Sequence, residues 1–262
     1  MREEGLRYRE ISVLLRDTQP YLHLLPAVFG AMEIPYFIDS KKPLLYHPLI
    51  ELVRAVLEIW AYQPHYRHIM RLLKNVLSPI AGSEADILDN YCLAHGVRFY
   101  HWQQEIWSFP PIDGEDDALL AQVEEIRRRG AEPLFACINH LGEAASAKEL
   151  NAALRDLLAA YDVAEQLQKM AAQARQAGAG EKLLGFFNEA ESLLGDTPYQ
   201  AAELADLYDA AFAGLTLSTI PAGLDQVFIA SLERSRNPEI RAAFVLGMNE
   251  GAMPRRIVMD GL

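Results

Sequence analysis

The sequence predicts an α/β fold in which an incomplete parallel sheet, built from both ends of the chain, is interrupted by a large all-α insertion domain. Three observations carry this. Apolar runs of strand length and β-branched content lie near the two ends, at 10–16 and 35–38 and again at 215–220, 226–230 and 242–246. From about Pro48 to Phe212 the apolar residues instead recur at helical spacing. Two short strands at the start bury too little apolar surface alone, so they need the strands at the end as partners in one sheet. The expected boundaries are residues 1–40 with 215–262 for the sheet domain and 41–214 for the insertion.

Each element has a local reason. Ile11-Ser-Val-Leu-Leu15 is a buried strand ended by Arg16 and Asp17. Asp17 or Thr18 caps the helix that follows, with Pro20 in its first turn and Leu22, Leu25, Val28, Phe29 and Met32 on one face. Pro35-Tyr-Phe-Ile38 completes a β-α-β unit. In the insertion, Pro48 opens a helix with Leu49, Val53, Val56, Leu57 and Trp60 on one face, and Pro64 opens another with Ile69, Leu72, Leu73 and Val76. Ser83-Glu-Ala-Asp86 caps a third. A fourth, 116–129, is acidic early and basic late, as the helix dipole favours. Residues 146–177 form one long helix or two, and 182–194 and 199–212 form the last ones. Glycine-bearing turns at 114–117, 178–180 and 195–198 separate these helices.

Composition bounds the function. The 262 residues are 51% hydrophobic and 23% charged, which is a globular balance. A formal net charge of −12 argues against general polyanion binding, because phosphate contact is driven by Lys and Arg. Any nucleic-acid contact must therefore be a local patch opposing the global charge. Two cysteines, Cys92 and Cys137, are too few for a disulfide framework or a cluster site and fit a reducing, cytoplasmic compartment. No signal peptide opens the chain, and no run approaches 18 uncharged apolar residues, so no membrane partner is expected. The sequence stops just after a strand and its turn, which predicts a chain cut through a domain of a longer protein.

The candidate chemistry is concentrated near the end of the chain. Arg234, Arg236 and Arg241 lie on and beside a loop between two strands, where arginines and backbone N–H groups can hold phosphates. The same residues read equally as a solvated loop with Glu233 and Glu239 as their partners. Arg255 and Arg256 follow the turn at Pro254, and Arg16 ends its strand; each extends the patch or is an ordinary surface charge. Asn249 and Glu250 sit in a turn whose Gly247 and Gly251 permit tight backbone geometry. His65-x-x-His68 and Cys92-x-x-His95 lack the third and fourth ligands that a stable metal site wants. His47, just before Pro48, suits a capping role. Phe99, Tyr100, His101, Trp102 and Trp107 either stack on unpaired bases or belong to the core. No nucleophile–base constellation and no acid–base carboxylate pair stands out.

These residues carry a resemblance. The opening Ile11–Arg16 strand, its helix, and Glu33-Ile-Pro-Tyr-Phe-Ile38 resemble the first segment of the RecA-like 2A domain of UvrD/Rep-type helicases, into which a helical 2B domain is inserted. Tyr46-His-Pro48, Asp225-Gln-Val227 and Leu232-Glu-Arg-Ser-Arg236 are most similar to the AddB branch of that family, and Leu246-Gly-Met-Asn-Glu-Gly-Ala-Met-Pro254 resembles the turn after its motif V strand. The resemblance covers both ends by residue, and the helical middle by position and length.

The resemblance implies part of a helicase–exonuclease subunit acting in double-strand-break repair by recombination. It implies an AddA-type helicase–nuclease partner subunit and single-stranded DNA crossing the 2A surface. It assigns the DNA path to Arg16, Ser231, Arg234, Ser235, Arg236, Asn249 and Arg255. ATP, Mg²⁺ and an iron–sulphur cluster are implied for the parent protein and none for this chain, which has no G-x-x-x-x-G-K-[ST] phosphate loop. Where active relatives carry T-x-H-x-x-K-G-L-E-F, this chain has Ala-Ser-Leu-Glu-Arg-Ser-Arg-Asn-Pro-Glu over 230–239, so nucleotide sensing through this loop is in doubt. The competing expectation is a helical protein–protein interaction module without DNA contact.

Overall fold

The computed structural model describes residues 5–62, 65–104, 106–107, 109–110, 112, 116–174, 178–218, 223–234, 239–249 and 253. The chain divides into two compact units, 1–42 with 218–262, and 43–217.

In the first unit, strand Ile11–Leu15 (β1) leads through helix Leu24–Ala31 (α1) to strand Tyr36–Ile38 (β2). The strands Val227–Ser231 (β7) and Ala242–Leu246 (β8) return far later in the sequence and pair with β1 on either side. The sheet order is β2-β7-β1-β8, and the β1–β7, β1–β8 and β2–β7 pairs are all parallel. The two ends of the chain thus share one sheet, as expected, and β8 begins and ends where the sequence pattern put it.

Alternation along the strands builds the core. Ile11, Val13 and Leu15 cluster with Val227 and Ile229 and are closed over by Leu25 of α1. Phe29 adds an edge-to-face contact with Tyr36 at 5.3 Å. The helix is shorter than its apolar spacing predicts. Val28 and Met32 are exposed, because a single helix over a narrow sheet can bury only one stripe. Asp17 acts one step earlier than expected: its Oδ1 accepts the Gln19 N–H at 2.9 Å and closes a short 3-10 turn over Gln19–Tyr21.

The second unit is helical. Helix Pro48–Ala61 (α2) is apolar nearly all round and lies at its centre, packed against α3, Tyr66–Leu73. Next come Gly82–Ala94 (α4), the short Phe99–Trp102 (α5) and Asp117–Leu141 (α6). The third predicted cap is displaced. Ala81 occupies the N-cap position and Glu84 accepts its N–H at 2.7 Å, so Ser83 lies inside α4. Helix α6 runs twelve residues beyond the expected 129, through Gly130 and Pro133. A Cβ on Gly130 would lie 2.8 Å from Leu73 Cδ2, so the glycine is what admits α3. The Tyr161 hydroxyl donates to the Gly130 carbonyl.

The stretch 146–177 resolves into two helices, Ala147–Ala160 (α7) and Val163–Ala174 (α8), broken at Asp162 with φ 52°. Ala179–Leu194 (α9) and Ala201–Phe212 (α10) follow. The expected strand at 215–220 is Thr216–Ser218 (β6), and it stands outside the main sheet. It pairs with Lys41–Pro43 (β3), so the chain's entry to the helical insertion and its exit run side by side. Ala144–Ala145 (β4) and Tyr199–Gln200 (β5) form a second small, antiparallel ladder. Tyr199 therefore belongs to this ladder and α10 starts after it.

Charge divides with the units. The first holds 11 Lys and Arg against 11 Asp and Glu; the second holds 13 against 25. The whole net charge of −12 resides on the helical unit.

Candidate nucleic-acid interface

Because these strands run parallel, the residues that follow them emerge at one edge of the sheet, where α/β proteins place ligand contacts. Register fixes the neighbours: Leu15 pairs with Ser231 on one side and Leu246 on the other. Arg16, exposed, thus stands between the residues that follow β7 and β8. Ser231 ends β7 and is half-buried, and the 3-10 turn Leu232–Arg234 follows at once. Beyond β8, Gly247 has φ 75°, and a Cβ there would meet the Tyr21 hydroxyl at 3.0 Å; both facts call for glycine. Asn249 is exposed, and its carbonyl accepts the Met253 N–H at 3.1 Å.

Of the seven sequence-derived DNA positions, Arg16, Ser231, Arg234 and Asn249 share this carboxyl edge. Ser235, Arg236 and Arg255 lie outside the described residues, as do Glu250, Gly251 and Arg256. Two residues at the edge escaped the sequence reading. Tyr21 faces Gly247, and Asp39 donates its N–H to the Ile229 carbonyl at 2.8 Å. The signal for Asp39 was available, since it directly follows a strand as Arg16 does.

Arg241 and Glu239 do not join this edge. They precede β8 and so fall at the opposite, amino edge. There the Arg241 guanidinium lies 3.6 Å from the Glu10 carboxylate, and the Arg241 backbone N–H donates to the Glu10 carbonyl at 2.8 Å. Glu239 lies 3.9 Å from Arg9 at this same amino edge. The Arg7 N–H, first, and the neighbouring Arg241 hold the Glu10 carboxyl below the ordinary carboxylate range. The reason is strand direction: residues before and after a strand lie on opposite edges, however close in sequence.

In the helical unit the aromatic group is mostly core. Trp102 is buried, Phe99 and Trp107 pack against the core, and Tyr100 is exposed. Arg127, buried, anchors the segment beyond α5: it donates to the Gln104 carbonyl, pairs with Glu124 and lies 5.5 Å over the Trp107 ring. His65 and His68 meet edge to face at 6.0 Å between centroids. Among the described residues no three His, Cys, Asp or Glu side chains converge to hold a metal ion, and the two thiols are buried apart in α4 and α6. The described residues thus do not fit a metal or an iron–sulphur cluster. Among them, no helix is long and apolar enough to cross a membrane.

His47 does cap α2: its Nδ1 accepts the Leu49 N–H at 3.1 Å. His101 Nδ1 likewise accepts the Arg98 N–H at 2.8 Å. Burial lowers the pKa of both from the ordinary 6.5. A depressed folded-state pKa gives stability that is present above 6.5 and lost as pH falls through the folded value. The expected outcome is a urea midpoint that declines from about pH 7 to about pH 5. His47→Asn, which retains a cap oxygen, should flatten part of that decline; an identical pH profile would show that the His47 cap does not contribute.

Relatives decide the family. The B subunit of the ATP-dependent helicase/deoxyribonuclease of Pelotomaculum thermopropionicum is 39% identical over 285 residues, covering 100% of this chain and 24% of the relative. The corresponding protein of Heliobacterium modesticaldum is 38% identical, covering 100% of the chain and 23% of the relative. That of Moorella thermoacetica is also 38% identical, over 99% of the chain. The chain belongs to the AddB family over its full length. Because the alignments run through the helical middle, the AddB relationship covers both units and not the terminal motifs alone. The chain spans about a quarter of the length of the curated AddB relatives it matches. No protein-family model matches it.

Proposed function

We propose that this chain is the 2A portion, with its inserted 2B domain, of the AddB component of a helicase–exonuclease that acts in the cytoplasm in DNA double-strand-break repair by recombination. The observation that carries this reading is the full-length relationship to the B subunits of helicase/deoxyribonucleases. The chain contributes to a single-stranded DNA path and to contacts with an AddA-type subunit, and it has no autonomous catalysis. ATP hydrolysis with Mg²⁺, DNA cleavage and any iron–sulphur cluster belong to other parts of the parent assembly.

The carboxyl edge is the DNA-facing surface in this reading. Arg16, Arg234, Arg236 and Arg255 supply charge to phosphates, and Ser231, Ser235 and Asn249 supply neutral hydrogen bonds. The charge division supports this location. A phosphate-contacting surface is compatible with the charge-balanced unit and opposed by the acidic one.

The test is crosslinking of single-stranded DNA in the complete parent complex. Substituting Arg16 and Arg234 with Ala is expected to lower the crosslink yield several-fold, and unchanged yield would remove both from the DNA path. The isolated chain should show no ATPase activity and should bind single-stranded DNA weakly, with affinity falling as salt rises. Nanomolar binding that persists at high salt would contradict the mechanism.

The second reading, a helical protein-interaction module, is favoured by one observation: the acid excess is confined to the helical unit. Partner binding that depends on this unit, with DNA crosslinking unaffected by the arginine substitutions, would favour it.

A further inference from the structure

The helical unit has an open groove of about 540 Å³ between the end of α7, α8 and the start of α9. Its lining is aliphatic. Leu49 and Leu183 are buried at its floor, Leu158 and Leu167 are half-buried on its walls, and Leu184 and Ala164 are exposed. The floor belongs to the main core, so the groove is a gap in the core's cover and not a separate surface wrinkle.

The charges around it are unequal. Asp162 lies on the rim, exposed, and among the described residues no cation meets its carboxylate. Glu165 is held by Lys169 at 2.7 Å. Arg155, the arginine among the described residues of the lining, is already engaged, 2.9 Å from Glu191 and 5.4 Å over the Phe187 ring. The groove thus offers apolar contact inside and, at its rim, one exposed carboxylate, Asp162, without a cation among the described residues, on a unit that carries the chain's entire net charge of −12.

We infer that this groove docks an amphipathic helix of a protein partner, with bulky apolar anchors on one face and Lys or Arg flanking them. Charge complementarity selects this occupant. An amphipathic helix lays its apolar face into such a groove with anchors at i, i+3 or i+4, and i+7. A second copy of this chain would bring another −12 and be repelled. Nucleic acid would find the Asp162 carboxylate at the rim and, among the described residues of the lining, no arginine that is not already engaged. The inference concerns the helical unit alone and stands whether or not the carboxyl edge of the sheet contacts DNA.

The test is selection of a displayed library of helical peptides about 16 residues long, with randomised core and flanking positions, on the full chain. Enriched peptides should carry two or three Leu, Ile, Phe or Trp at helical spacing and a net positive charge. Two variants locate the binding. Ala164→Arg, at an exposed helix position, fills the groove and should weaken a synthesised winner at least tenfold by calorimetry. Asp162→Asn keeps a side chain that tolerates the left-handed backbone there and should weaken it several-fold at low salt. Circular dichroism of both variants should match that of the parent. The inference is overturned if no peptide is enriched over counter-selection with Ala164→Arg, if acidic peptides win, or if both variants retain full affinity. Self-association that Ala164→Arg abolishes in sedimentation would also overturn it, by making a second copy the occupant.

Discussion

Replacing Asn151 with alanine is expected to lower the stability of the helical unit by about 2–4 kcal/mol. Asn151 is fully buried on α7 and serves two neighbours. Its Nδ2 donates to the Phe187 carbonyl and to Glu191 Oε1 of α9, each at 3.0 Å, and its Oδ1 accepts the Tyr208 hydroxyl of α10 at 2.8 Å. Alanine would leave the buried Tyr208 hydroxyl without its acceptor and open space among well-packed helices, so the loss of hydrogen bonds and of packing adds up. Tyr208→Phe removes one bond and leaves Asn151 Oδ1 without its donor, but keeps the packing and the two bonds to α9, and should cost about 1–2 kcal/mol. In the double variant the two costs should not add, because a phenylalanine ring does not need the acceptor that the alanine substitution removes. Urea unfolding of the parent, the two single variants and the double variant reads this directly. Additive costs, or an Asn151→Ala loss under about 0.5 kcal/mol, would show that the network does not hold these helices in register.

The second large effect is expected in the sheet. Leu15 is fully buried at the carboxyl end of β1, paired with Ser231 of β7 and Leu246 of β8. Leu15→Ala should cost about 2–5 kcal/mol, the range for a leucine removed from a core that cannot collapse around the gap. The control is Val28→Ala on α1. Sequence spacing puts Val28 on the same apolar face as Leu25, yet it is 53% exposed, so its truncation should fall within about 0.5 kcal/mol. Hydrogen exchange at the amides of β1, β7 and β8 gives a local measure. In Leu15→Ala the three strands should lose protection together, because β1 bonds to both neighbours. Protection lost from β1 alone would mean that β7 and β8 do not depend on it.

Much of this architecture is legible in the residues, for identifiable reasons. The strands at 11–15 and 242–246 are apolar and β-branched over a strand's length, and helical spacing marks the insertion. His47 before Pro48 reads as a cap because local chemistry alone decides a cap. The misses have causes as well. The helix expected over 116–129 continues as α6 through Gly130 and Pro133 to Leu141, where Leu73 packs on the glycine and Tyr161 bonds its carbonyl. Ser83 reads as a cap by residue type, but the helix begins before it. Thr216–Ser218 has strand character and is a strand, although its partner is β3 and not the main sheet. For α6 and β6 a contact remote in sequence overrode a local preference, whereas at α4 a local one decided, the Glu84 carboxylate accepting the Ala81 N–H and starting the helix before Ser83.

The candidate interface divides the same way. Arg16, Ser231, Arg234 and Asn249 are recognisable as strand-end residues from sequence, but so is Arg241, and only strand direction separates them. By itself the sequence determined which segments are strands and helices, that the ends must pair, and that the chain is strongly acidic. Those properties follow from side-chain chemistry read over a few residues or summed over all. Tertiary structure alone decided the order β2-β7-β1-β8, which charges share an edge, and the place of the open groove among α7, α8 and α9. These depend on which surfaces meet between segments far apart along the chain, and hydrophobic periodicity specifies that a face is buried without specifying against what.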